Sequence, residues 1–265
     1  LMQLMPLAQC QLPCGRFKLD LSQPQVIGIL NVTPDSFSDG WQHHQKDQAI
    51  QHALQMMQDG ASIIDIGGES TRPGAVPVEL QEELDRVLPV IEGLKDCGVP
   101  LSIDTYKAQT MREALRAGVD CINDIWALRP AGSVDAVLEN QDCGIVLMHM
   151  QCDPLTMQFN PEYQDVVLEV WQFLKERAEI LRSKGINANR IAIDPGFGFG
   201  KSLEHNLKML THFKQFSYSS SKWAIKQWIQ LTTSTTRLAQ ELLTNLQCSD
   251  GSRSFVKETK ALKLR

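Results

Sequence analysis

Asp104, Asn123 and Asp194 each close an otherwise apolar run, in PLSIDTYK, DCINDIW and RIAIDPGFGFGK. An ionised aspartate only accepts hydrogen bonds, whereas asparagine both donates and accepts. Three such side chains at one pocket mouth could pair with a flat heterocycle carrying N–H donors. Any one of them alone is as well explained as a cap on the helix that follows, because Asx side chains accept from the free amides of a first helical turn. Three at successive run ends favour a ligand.

Two long polar loops, NVTPDSFSDG and GGESTRPG, follow the first two runs and carry Asp35 and Arg72. Loops of this size often act as lids. Arg72 could grip a phosphate or carboxylate with two parallel hydrogen bonds, or be an ordinary exposed arginine. His149 in LMHMQ has the chemistry of a general base, but its apolar flanks predict a satisfied structural histidine. The stretch IAIDPGFGFGKS ends like a phosphate-binding loop. Pro195, however, stands where that loop needs a glycine with a free N–H, and Gly196, Gly198 and Gly200 do not fit the dinucleotide spacing. The stretch reads instead as a tight strand-to-helix turn, with Lys201 and His205 on its rim and no metal partner for His205 at ligand spacing.

The elements that must position these residues alternate regularly. Apolar, β-branched runs begin at Val26, Ser62, Pro100, Asp120, Gly144 and Arg190. They are continuous rather than alternating, which suits strands buried on both faces of a parallel sheet. Helical patterns lie between them, as in DQAIQHALQMMQDG, ELQEELDRVLPVIEGL, KAQTMREALRAG and YQDVVLEVWQFLKERAEILRSKG, three of them stopping at glycine. A doubly wound sheet would show a glycine fingerprint after its first strand. Here each run is expected to end in its own polar side chain: Asn31, Asp65, Asp104, Asn123, His149 and Asp194. That distribution predicts a TIM-type (β/α)8 barrel, whose chemistry gathers at the C-terminal strand ends.

Composition sets the outer limits. The 265 residues suit one barrel domain spanning 1–265, and 43% hydrophobic with 22% charged residues is ordinary for a globular protein. A net charge of -5 gives no reason to expect nucleic acid or an anionic membrane as partner. The start LMQLMPLAQCQLPCGRFK lacks the pattern of a signal peptide, and no apolar run is long enough to span a bilayer. The seven cysteines include no pair of C-x-x-C units, so reduced thiols in a cytoplasmic protein are expected rather than zinc.

In order and spacing, GILNVTPDSFSDG, DIGGESTRPG, SIDTYK, INDIW, LMHMQ and DPGFGFGK resemble the dihydropteroate synthase family from about Arg16 to about Phe213. The pair NVTPDSFSDG and ESTRPG is highly specific and is not shared by the related pterin-binding barrels of methyltransferases. The resemblance implies a TIM barrel that condenses p-aminobenzoate with 6-hydroxymethyl-7,8-dihydropterin diphosphate, releasing pyrophosphate. It implies that Asp104, Asn123 and Asp194 hydrogen-bond the pterin, with Met148, Gly198 and Phe199 beside it. Asn31 would contact Mg2+ and the diphosphate, Thr71 and Arg72 would border the diphosphate and p-aminobenzoate, and Asp35 and Arg72 would lie on closing loops. It also implies a homodimer.

The pattern stops after LTHFKQF. Residues 217–265 contain no S-R-K-like loop and no R-x-H motif, and nothing in them reads as two buried parallel strands. The abrupt stop suggests a shifted reading frame. The expectation is a barrel with strands seven and eight in doubt, open edges, poor stability and weak turnover. Two other readings are a pterin-binding protein without catalysis, which keeps Asp104, Asn123 and Asp194, and a methyltetrahydrofolate-dependent methyltransferase domain.

Overall fold

The structure, a computed structural model, describes residues 11–21, 25–33, 42–70, 75–217, 226–231 and 254–258. A short antiparallel hairpin comes first, β1 (Gln11–Cys14) and β2 (Phe17–Asp20). The six apolar runs then form β3 (Gln25–Asn31), β4 (Ile63–Gly67), β5 (Leu101–Asp104), β6 (Cys121–Asp124), β7 (Gly144–Met148) and β8 (Ile191–Asp194). Between and after them lie α1 (Gln42–Gln58), α2 (Leu80–Leu94), α3 (Ala108–Ala117), the short α4 (Ser133–Leu138), α5 (Val166–Ser183), α6 (Leu203–Thr211) and α7 (Lys214–Ser217).

Two further strands, β9 (Lys226–Leu231) and β10 (Ser254–Glu258), complete the sheet. The strands close in the order β10-β3-β4-β5-β6-β7-β8-β9, every pairing parallel. This corrects the expectation of a barrel left open after six strands. Strand pairing is made by backbone amides and carbonyls. KQWIQL and SFVKE therefore need no continuous apolar run to pair with the edges that β8 and β3 present.

Successive side chains on each strand point to opposite faces. One set, including Ile64, Ile66, Leu101, Ile103, Ile122, Ile145, Leu147, Ile191 and Ile193, packs outward against Val87, Ile91, Met111, Ala114, Val170 and Leu174 of the helices. Each fully buried side chain of this size contributes about 1.5–3 kcal/mol, so this outer layer holds the helices to the barrel. The alternate set faces inward. At its N-terminal end Ile27, Ile63, Cys121, Val146 and Ala192 pack against Leu12, Cys14, Leu19 and Leu21 around the hairpin. The hairpin thus plugs the bottom of the barrel. Asp120 fastens it there, accepting from Arg16 Nε at 3.1 Å and from the backbone N–H of Leu101 at 3.0 Å. With the bottom sealed, the polar inward residues lie at the other end.

Candidate active site

Strand register brings the predicted residues into one ring. Asn31 pairs with Gly67, Gly67 with Asp104, and Asp104 with Asn123; on the far side Met148 pairs with Asp194. All lie at or one residue short of the C-terminal strand ends. Gly67 keeps the ring open: a Cβ there would lie 3.5 Å from Asn31 Oδ1 and 3.8 Å from Asp104 Cβ. Asp104, Asn123 and Asp194 are all buried, at 8%, 2% and 1% exposure, so a ligand meets them away from bulk water. Asp65, expected from sequence to end its strand, sits instead in the middle of β4 and is fully buried. The Asn123 side-chain amide donates to Asp65 Oδ2 at 3.3 Å, which fixes which way the amide faces. Sequence gave no sign of that partnership. The adjacent Asp124 serves the fold: its carboxylate accepts from the backbone N–H of Trp126 at 2.8 Å and of Leu128 at 2.7 Å, while burial pushes its pKa up to about 7.

The turn after β8 carries the other half of the site. Asp194 Oδ1 accepts from the Gly196 N–H at 2.7 Å. Phe199 packs with Ile125, Met148, Met150 and Met157, with Tyr106 and Trp126 alongside, making an apolar wall beside the polar ring. The turn needs glycine because Gly196, Gly198 and Gly200 all have positive φ. Gly196 is the tightest: a Cβ would lie 2.1 Å from the His149 carbonyl oxygen, whereas one at Gly198 meets nothing within 4 Å. Gly198→Ala is expected to cost about 1–2 kcal/mol for its left-handed backbone alone. Gly196→Ala adds overpacking of about 1–3 kcal/mol. Urea unfolding of the two variants checks this, and equal losses would contradict it.

Lys201, expected on the rim, is buried at 3% exposure. Its Nζ lies 3.0 Å from His149 Nδ1 and donates to the carbonyls of His149 at 3.2 Å, Gly196 at 2.9 Å and Phe199 at 2.8 Å. The two acceptors on His149 become neighbours only once β7 and β8 are side by side, so sequence placed the lysine wrongly. Burial lowers its pKa to about 7, partly offset by Asp194. His149 is buried and meets Phe173 edge-on at 5.0 Å between ring centroids, and burial, with Lys201 beside it, lowers its pKa well below the ordinary imidazole value. It is a satisfied structural histidine, as its apolar flanks suggested. His205 caps α6 in a reciprocal pair with Ser202.

Sequence also missed a buried charge cluster beneath the second loop. Lys107 Nζ bridges Glu69 Oε2 at 2.5 Å and Glu83 Oε2 at 2.8 Å. Tyr106 OH donates to Glu69 Oε1 at 2.9 Å, and the Val78 N–H donates to Glu69 Oε2 at 3.0 Å. Burial pulls the Lys107 ammonium down, but the hydrogen bonds and charges of the two glutamates outweigh it and its pKa ends above the ordinary value. Glu69 thus ties residue 78 back to the end of β4. Asp35, Thr71 and Arg72 lie outside the described residues.

Comparison with known proteins bears on the chain's family and fold. A family model described as "Pterin binding enzyme" matches residues 27–254, further along the chain than the motifs reach. The dihydropteroate synthase of Neisseria meningitidis serogroup C is 49% identical over 203 residues, 76% of this chain and 72% of that protein. That of Escherichia coli K12 is 47% identical over 201 residues, 76% and 71% of the two chains. Among solved structures, Burkholderia cenocepacia dihydropteroate synthase complexed with 7,8-dihydropteroate superposes with a TM-score of 0.82 at 39% identity, covering 95% of this chain and 91% of that one. The Xanthomonas albilineans enzyme with 4-aminobenzoic acid gives 0.82 at 40% identity, covering 94% and 92%. With its closed parallel barrel, its polar ring at the strand ends and these matches, the chain belongs to the pterin binding enzyme family and, within it, to the dihydropteroate synthases.

Proposed function

We propose that this chain condenses p-aminobenzoate with 6-hydroxymethyl-7,8-dihydropterin diphosphate, giving 7,8-dihydropteroate and pyrophosphate. The observation that carries this reading is the buried ring of Asp104, Asn123 and Asp194 at the open end of the barrel, beside the apolar wall of Met148 and Phe199. Its relatives include dihydropteroate synthases, and two of the solved neighbours hold 7,8-dihydropteroate and 4-aminobenzoic acid.

The roles follow from the chemistry. The carboxylates and the amide accept from and donate to the polar edge of the pterin, while Met148 and Phe199 cover its flat face. The amine nitrogen of p-aminobenzoate attacks the pterin methylene, the carbon–oxygen bond breaks, pyrophosphate leaves and the amine gives up a proton. An aromatic amine is already a usable nucleophile, so a strong base such as an exposed histidine is not needed. Cationic character develops on the methylene, where buried carboxylates stabilise it. Thr71, Arg72 and Asp35 would serve the diphosphate, the p-aminobenzoate and loop closure.

Magnesium would bind through the diphosphate and the side-chain oxygen of Asn31. Among the described residues no cluster of three or more His, Cys, Asp or Glu could hold a metal. A single amide oxygen fits Mg2+ nonetheless, since this ion keeps several waters and is usually held by one or two protein oxygens plus substrate phosphates. When bound it would neutralise charge on the leaving pyrophosphate.

Pyrophosphate release by the purified chain, dependent on both substrates and abolished by chelation, is the test; binding of pterin without turnover would favour the non-catalytic reading. Residues 217–265 lack the S-R-K-like and R-x-H motifs that would grip phosphate in this family. Turnover is therefore expected below that of the Neisseria relative assayed beside it, and equal rates would refute this. We also propose that residues 1–265 act as one unit, in the cytoplasm and as a homodimer. Among the described residues no helix is long and apolar enough to cross a membrane.

A further inference from the structure

Lys201 has no part in the chemistry above, yet among the described residues it is, with Arg190, one of two buried Lys or Arg side chains, and it sits in the turn that carries Asp194 and Phe199. Its ammonium carries three protons and meets four acceptors: His149 Nδ1 and the carbonyls of His149, Gly196 and Phe199. Two of these belong to the end of β7 and two to the turn that follows β8. The same turn has outer tethers as well: Gln158 Nε2 donates to the Gly198 carbonyl at 2.6 Å, Tyr163 OH to the Gly200 carbonyl at 2.8 Å, and the Gly198 N–H to Asn206 Oδ1 at 2.8 Å. Lys201 is the side chain that ties the inner half to β7, beside the backbone bonds from the His149 N–H to the Asp194 carbonyl at 3.0 Å and from the Phe199 N–H to the Gly196 carbonyl at 3.1 Å.

We propose that Lys201 is a positioning residue for the pterin: by fastening Gly196 and Phe199 to His149 it fixes where the Asp194 carboxylate and the Phe199 ring face that substrate. This rests on the synthase reading and extends it. Without the ammonium, the Gly196 carbonyl keeps only the Phe199 N–H, the Phe199 carbonyl loses the Lys201 donor, and the buried Asp194 loses a nearby positive charge. The outer tethers keep the turn folded, so the damage falls on pterin binding rather than on the fold. The p-aminobenzoate side of the site is untouched.

The test compares the unsubstituted chain, Lys201→Met, and Val170→Ala as a control for lost stability. Val170 is fully buried on α5 and belongs to the outer core. Lys201→Met is expected to raise KM for pterin diphosphate about tenfold or more while KM for p-aminobenzoate stays within about twofold. It should weaken 6-hydroxymethylpterin binding, followed by pterin fluorescence, to the same extent. Val170→Ala should leave both constants unchanged within about twofold. Equal changes in both KM values, or pterin binding retained by Lys201→Met, overturns the proposal. If Lys201→Met does not fold, Lys201→Gln is read against the same limits, since its amide can serve at most two of the four acceptors. A third readout needs no variant: saturating 6-hydroxymethylpterin should move the 15N resonance of Lys201 Nζ, and an unmoved resonance overturns the proposal. Failure of the unsubstituted chain to bind any pterin overturns the synthase reading as well, whereas a failure confined to Lys201 leaves that reading standing.

Discussion

Asp104→Ala is expected to lower kcat/KM for pterin diphosphate by about 10²–10³-fold, roughly the cost of removing one preorganised electrostatic contact from a site closed to water. Asp104 ends β5, is 8% exposed, and stands in register between Gly67 and Asn123. An acceptor in that place costs little to organise, because the strands hold it before substrate arrives. Its removal leaves a pterin N–H facing no partner, and a buried unpaired donor costs about 1–3 kcal/mol before any loss of charge stabilisation in the transition state. Asp104→Asn separates the two contributions. It keeps the shape and one acceptor but removes the charge, so a loss in kcat with modest change in pterin affinity would place the carboxylate's work in the transition state. Steady-state kinetics with both substrates varied is the measurement. A kcat/KM within threefold of the unsubstituted chain for Asp104→Ala would remove this residue from the site.

The second large effect is on stability. Lys107→Met is expected to destabilise the fold by about 3–5 kcal/mol, the usual result of removing one partner from a buried ion pair. Glu69 and Glu83 are 9% and 1% exposed, and both rely on the same ammonium. Without it two carboxylates would share one low-dielectric site, although the Tyr106 hydroxyl, the Val78 N–H and the Thr110 hydroxyl would still donate to them. In a chain of this size the loss corresponds to a Tm lower by about 6–20 °C. Adding Glu83→Gln to Lys107→Met should recover part of it, because the repulsion disappears while Thr110 keeps a partner. Thermal unfolding of the single and double variants decides the matter, and a single variant within about 2 °C of the original protein would show that the cluster contributes little. The same cluster anchors the ends of the second loop, so Lys107→Met should also raise the KM for p-aminobenzoate.

The parts of this protein legible in sequence are those whose cause is local. Six strands showed as continuous apolar runs because both faces of each are buried, and α3 showed its end because Gly118 takes the left-handed conformation that closes a helix, φ 109. Asp104, Asn123 and Asp194 were readable because each interrupts such a run at its end, where a parallel barrel gathers polar groups. The hairpin at the bottom of the barrel went unread, since four-residue strands carry too little pattern. β9 and β10 went unread because polar residues interrupt KQWIQL and SFVKE and leave only two consecutive apolar residues in each, while the signal sought was an unbroken apolar run.

What tertiary structure alone decided is which polar groups meet. Lys201 looked like a phosphate grip closing a glycine-rich turn, and Pro195 excluded that from sequence alone. Its true partners include His149, fifty-two positions earlier, which becomes a neighbour only when β7 and β8 pair. Asp65 and Asn123 are fifty-eight apart, and Lys107 and Glu69 thirty-eight. Sequence determined the period of the strands, the turns that need glycine and the residue types placed at the barrel mouth, because these follow from each residue and its near neighbours. Barrel closure determined the charge pairs and orientations, because a hydrogen bond between distant residues has no local trace in the chain until the sheet brings donor and acceptor within about 3 Å.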